Sequence, residues 1–136
     1  MISDLSAGLA AFLRDCISSY EEVETLLLLA RSPARSWSAD EIARSLNVTV
    51  DAARAALTRL VDVGDLIEAV VTTPPRYRYE PRRDALRTAV NELDHAFVEQ
   101  RLAVVQVMNQ NALDRVRDSA ARRLAQAFRA NGRRNE

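Results

Sequence analysis

Lysine is absent from this 136-residue chain, and cysteine and histidine occur once each, as Cys16 and His95. One thiol and one imidazole cannot assemble a zinc site, a disulfide framework or a cysteine–histidine catalytic pair with any redundancy, so metalloenzyme readings find no support. The three glycines build neither a phosphate-cradling loop nor a nucleophile elbow, and the acid/base inventory is thin; the sequence predicts no enzyme and no cofactor. Long hydrophobic runs are also missing. The longest, Leu26 to Ala30, falls far short of the roughly 20 residues that span a bilayer, so no membrane partner is expected. Asp4 lies near the N-terminus and Arg14 interrupts the stretch that would have to form the apolar core of a secretory signal, which predicts a cytoplasmic protein with Cys16 reduced.

What is present is an ordinary globular composition, 48% hydrophobic and 28% charged, enough for one cored domain without staples. Nineteen basic and nineteen acidic residues give zero formal charge, which excludes a histone-like coat. The charge is nevertheless uneven: residues 1–30 carry −4, 31–60 carry +2, 61–80 carry −2 and 81–136 carry +4. Every basic residue is arginine, whose planar fork suits phosphate and carboxylate, although GC-rich codon usage explains the same bias.

Helical periodicity opens the chain. Ile2, Leu5, Leu9, Phe12, Leu13 and Cys16 form one stripe, giving an amphipathic helix within residues 1–18. Ser18 with Glu21, or Ser19 with Glu22, fits a capping box that starts a second helix, and Ser32-Pro33 stops it. Ser38 with Glu41 repeats the box for a third helix. Asn47-Val48 interrupts it, Thr49 caps a fourth helix with Asp51 in its first turn, and Gly64 ends that one. Leu66–Val71 and Arg76–Tyr79 read as a hairpin around Thr72-Thr73-Pro74-Pro75. Pro81 is expected in the first position of a fifth helix, on which Leu86, Val90, Leu93, Phe97, Val104 and Met108 share a face for some 27 residues. Asn109–Asn111 is expected to break it, with Leu113, Val116, Ala120, Leu124, Ala127 and Phe128 restarting the pattern until Asn131-Gly132.

Helix, short turn, helix and hairpin in this order, with Trp37 as a short first strand, resemble a winged helix-turn-helix over residues 20–80. With helices on both sides, the whole chain is similar in layout to the multiple-antibiotic-resistance (MarR) type of dimeric bacterial regulator. The resemblance implies transcriptional control, with terminal helices intertwined in a dimer. The expected fold is mainly α with a small β-hairpin wing: an N-terminal helix (1–18), a winged helix-turn-helix (19–81) and a C-terminal helical dimerisation region (82–131).

A helix about 10–12 Å across fits the major groove of double-stranded DNA, and base-reading side chains must leave its exposed face. Opposite the leucine stripe, the fourth helix offers Asp51, Ala52, Arg54, Ala55, Thr58 and Arg59, beside the capping Thr49. Arg54 is the candidate for a bidentate guanine contact, Thr58 for a base or phosphate and Arg59 for phosphate; pairing of Arg54 with Asp51 or Asp62 is the competing account. Arg76 and Arg78, two apart on one side of the wing strand, suit the minor groove or phosphate, or a solvated face. Tyr77 and Tyr79 on the other side read as packing. Ser38 and Arg44 at the helix-turn-helix entrance are phosphate candidates. Arg82-Arg83 reads as a solvated face that could extend a phosphate-binding surface.

The leading expectation is a homodimeric DNA-binding regulator. Its dimer would form through Leu86, Leu93, Phe97, Val104 and Met108 with the N-terminal helix, because these offer more apolar surface than a 60-residue core covers. A small-molecule effector between core and dimer helices is left open. The rival is a winged-helix protein-interaction module that never touches DNA, which the neutral charge and alanine-rich face favour. A continuous positive stripe over Arg44, Arg54, Arg76 and Arg78 would support DNA, and acids interrupting it the rival.

Overall fold

The computed structural model describes the backbone of residues 5–134 and side chains to residue 129; Ile2 and the chain's last two residues lie outside the described residues. Helix α1 spans Ala7–Cys16, α2 Tyr20–Arg31, α3 Ala39–Leu46 and α4 Val50–Val63. Strand β1 is Trp37–Ser38, β2 Ile67–Val70 and β3 Arg76–Tyr79, followed by α5 (Asp84–Glu99) and α6 (Arg101–Arg134). The protein is mainly α with one three-stranded antiparallel sheet in the order β1-β3-β2, an arrangement compatible with a winged-helix layout.

Local chemistry accounts for most boundaries. Ser19, not Ser18, caps α2: its hydroxyl accepts from the Glu22 amide, while the Glu22 carboxylate accepts from the Ser18 amide and both serine hydroxyls. Ser38 and Glu41 form the reciprocal capping box of α3. Asn47 closes α3 in the left-handed region, at φ 57°, where its short polar side chain is tolerated. Thr49 then accepts from the Ala52 amide to start α4. Gly64 ends α4 at φ 80°, ψ 159°, a combination open in practice to glycine alone. The sharp exit aligns β2 for pairing with β3, in the register Glu68 to Arg78 and Ala69 to Tyr77.

Beneath the sheet, α2 crosses α4 and α3. Leu26, Leu29, Ile42, Leu57, Leu60 and Leu66 are fully buried there. Each contributes about 1.5–3 kcal/mol by leaving water. Trp37 and Tyr79 close the sheet side of this core.

Two boundaries depart from the local pattern. Pro81 does not open α5, because the Glu80 and Arg82 amides still bond back to the Leu66 and Asp65 carbonyls, keeping the chain out of the helix until Asp84. The expected 27-residue helix breaks at Gln100, whose ψ of 43° and φ of −134° leave the helical region, and α6 folds back until Val104 is buried. Asn109–Asn111 causes no break, and α6 continues for 34 residues, about 51 Å at 1.5 Å per residue.

Consequently Leu86, Leu93, Phe97 and Val104, expected at a seam between two copies, lie inside the core of one copy, and Met108 packs against it. Arg115 pins α6 by donating to the Ile17 carbonyl at 3.0 Å. Around and beyond it the outer side of the helix leaves Leu113, Val116, Leu124 and Phe128 uncovered. Among the described residues, no helix is long and apolar enough to cross a membrane.

Candidate nucleic-acid interface

Helix α4 buries Ala53, Ala56, Leu57 and Leu60 and turns Asp51, Arg54, Ala55, Thr58 and Asp62 to solvent. Among the described residues, no helix covers this outer face, because the helices that pack on α4 do so from its leucine side. Thr49, Asp51, Arg54 and Thr58 thus lie together on one exposed surface. The Thr58 hydroxyl donates to the Arg54 carbonyl at 2.9 Å, leaving only its oxygen lone pairs outward. Arg54 approaches Asp51 at 3.4 Å, the pairing foreseen as its competitor. Both partners are exposed, so the pair is worth about 0–1 kcal/mol and exchanges readily for another anion.

The wing tip comes down beside this face. Arg54 lines a cleft of about 80 Å³ with Ser38, Asp40, Pro74, Pro75 and Tyr77. Arg44 stands next to it, exposed on α3, in a shallow depression with Asp40, Asn47 and Val50. It has no ion pair among the described residues. Asp40, Pro74 and Pro75 were not singled out from sequence. Their place beside Arg54 depends on how the hairpin tilts, which no local pattern encodes.

The two wing arginines behave differently. Arg76 donates to the Ser36 hydroxyl at 2.9 Å, the Ser36 carbonyl at 2.8 Å and the Glu41 carboxylate at 2.7 Å. Arg35, stacked 3.6 Å over the Trp37 ring, donates to the other Glu41 oxygen at 3.1 Å. Glu41 therefore receives the Ser38 amide and two guanidinium groups, and these, led by the Ser38 amide, hold its carboxyl below the usual range against a smaller desolvation effect. Arg78 instead meets its cross-strand neighbour Glu68 at 2.9 Å, with Glu80 at 3.8 Å, on an exposed surface.

Two further sequence candidates sit apart. Ser38 is buried, its hydroxyl engaged as the cap of α3. Arg59 turns from the α4 outer face to the α1–α2 junction, where it donates to the Ser18 hydroxyl at 3.1 Å and lies 4.0 Å from the buried Glu22. Arg82 and Arg83 both face Asp65 at about 4 Å. Beside the outer face of α4 the exposed arginines are therefore Arg54 and Arg44, with Asp51 and Asp40 next to them, while Arg78 lies on the wing strand among acids of its own sheet.

Elsewhere, burial and the neighbouring Asp15 raise the Cys16 thiol above its usual range, which keeps it protonated and unreactive near neutrality. No cluster of three metal-ligating side chains occurs among the described residues. Comparisons of the chain with protein-family models, curated proteins and solved structures find no significant match.

Proposed function

We propose that the chain is a DNA-binding transcriptional regulator of winged-helix type, homodimeric and MarR-like in layout. In it α4 enters the major groove and the wing meets the flanking backbone. The observation that carries this reading is the outer face of α4: capped by Thr49, ended by Gly64 and uncovered along its length, with Arg54 and Thr58 outward and Arg44 alongside. Arg44 and Arg78 serve as phosphate contacts, and Arg54 exchanges the Asp51 carboxylate for a guanine edge. Arg76 acts through the fold, by fixing the wing.

The test is a gel shift with duplex from upstream of the chain's own coding sequence, titrated with salt. Binding at low salt that weakens steeply as salt rises, and that Arg54→Ala reduces, supports the proposal. No binding at low salt removes it.

A second reading is favoured by one observation: Arg54, Arg76 and Arg78 each pair with an acid, so the positive stripe is interrupted. Under that reading the domain is a protein-interaction module, and its complexes are insensitive to added duplex.

A further inference from the structure

An acid stands in the middle of the surface that the proposed function turns toward DNA. At 100° per residue, Thr58, Asp51, Asp62 and Ala55 fall within about 60° of arc on the outer side of α4, with Arg54 about 40° further round. The Asp51 side chain is 94% exposed, and its carboxylate lies 3.4 Å from the Arg54 guanidinium. Asp62 is eleven residues further on, about 16.5 Å along the axis, at the end opposite the one that meets base edges in helix-turn-helix complexes. Asp51 therefore points at the groove floor whenever Arg54 reaches it.

Phosphate repels a carboxylate, so the partner of Asp51 must be a donor on a base edge. The major groove offers two, the N6 amino group of adenine and the N4 amino group of cytosine. Adenine carries its N7 acceptor on one side of the amino group and its pairing partner's O4 on the other, and both repel Asp51. Beside cytosine N4 stands guanine O6, an acceptor that Arg54 covers. A G·C pair thus shows acceptor, acceptor, donor in a row, and the Arg54 fork followed by the Asp51 carboxylate presents the complement in the same order. The spacings agree: O6 and N4 are hydrogen-bonded to each other at about 2.9 Å, close to the separation of Asp51 and Arg54. An A·T pair opposes both residues, setting an amino group against Arg54 and a carbonyl against Asp51. When Arg54 leaves for guanine, a carboxylate without a donor in the dewatered groove would cost binding, and cytosine N4 removes that cost.

We infer that Asp51 is a specificity-determining residue: Arg54 on guanine O6 and N7 and Asp51 on cytosine N4 read one G·C base pair together, a readout that rests on the DNA-binding function proposed above.

The probe is a pool of duplexes with a randomised centre, from which the unaltered chain selects its preferred sequence at low salt. Arg54→Ala marks the guanine that Arg54 contacts, as the position where base preference is lost. Anisotropy then compares the selected duplex with one whose cytosine opposite that guanine is replaced by 2-pyrimidinone, which is cytosine without its N4 amino group. Losing the amino group should weaken binding of the unaltered chain about tenfold and of Asp51→Ala by less than about twofold. Asp51 buries nothing in the core, so Asp51→Ala should keep its circular dichroism. Equal losses in both proteins overturn the inference. So does an Asp51→Ala chain that binds every duplex more tightly by the same factor, because Asp51 then only repels phosphate. A selected sequence without a G·C pair at the Arg54 position overturns it as well. In all three cases duplex is still bound, and the assignment of α4 to the groove survives. Failure to select any duplex at low salt ends both.

Discussion

Arg76 on β3 lies 2.7 Å from Glu41 on α3, a contact across 35 residues of sequence that ties the wing to the start of the helix-turn-helix. With Ser36 and Arg35 it forms a knot in which one carboxylate serves a helix cap and two guanidinium groups.

Replacing Arg76 should therefore act on folding. Arg76→Ala removes three charge-assisted hydrogen bonds in a half-buried setting and should cost about 1–2 kcal/mol. Arg78→Ala, which breaks exposed pairs only, should cost less than about 1 kcal/mol. Urea denaturation midpoints of the two variants check the difference; equal values would mean that the knot adds nothing beyond a surface pair.

The same knot makes stability depend on acid. The folded-state pKa of Glu41 is lowered from 4.5, so its contribution is fully present above that value and is lost as pH falls through the depressed one. Stability measured between about pH 5 and pH 2 should fall in the unaltered chain, and Glu41→Gln should show a smaller fall because this group no longer titrates. An identical slope in both proteins would contradict the assignment.

Gly64 separates strain from crowding. A Cβ there meets nothing within 4 Å, yet its φ of 80° with ψ of 159° is disfavoured for any side chain. Gly64→Ala should cost about 1–3 kcal/mol through the backbone alone. A calorimetric scan showing no loss would mean that the α4–β2 turn adopts a different conformation.

The arginines near α4 should part company in DNA binding. Arg44→Ala should weaken binding to all duplexes alike and lower the salt slope by about 1, whereas Arg54→Ala should cost about 1–3 kcal/mol on the preferred sequence. Arg59→Ala should leave binding unchanged and reduce stability, since Arg59 covers the buried Glu22. Anisotropy titrations over a salt series read all three.

Elements governed by neighbouring residues were legible in the sequence. The caps Ser19, Ser38 and Thr49 each follow from a side chain acting on backbone a few residues away, and the Gly64 stop from that residue's own backbone freedom. The break at Gln100 was not, because the stripe from Leu86 to Met108 fits one straight helix, and only the burial of Val104 after the chain folds back selects the bent form. Pro81 misled for a similar reason: the Arg82 amide is held by the Asp65 carbonyl, a partner 17 positions earlier. In the candidate site, the outward residues of α4 were readable from periodicity, and Arg54 with Asp51 from their spacing. The commitment of Arg76 to Glu41 was not, since it depends on the β1–β3 pairing that brings Ser38 opposite Arg76.

The central claim is that the outer face of α4 is the surface that meets DNA. Backbone amide NMR shifts, recorded while the upstream duplex is added at about 50 mM salt, locate the contact directly. The account expects perturbations concentrated on Thr49–Thr58, Arg44 and the wing tip, reversing as salt is raised. Perturbations confined to α1, α5 and α6, or none at that salt, would contradict it.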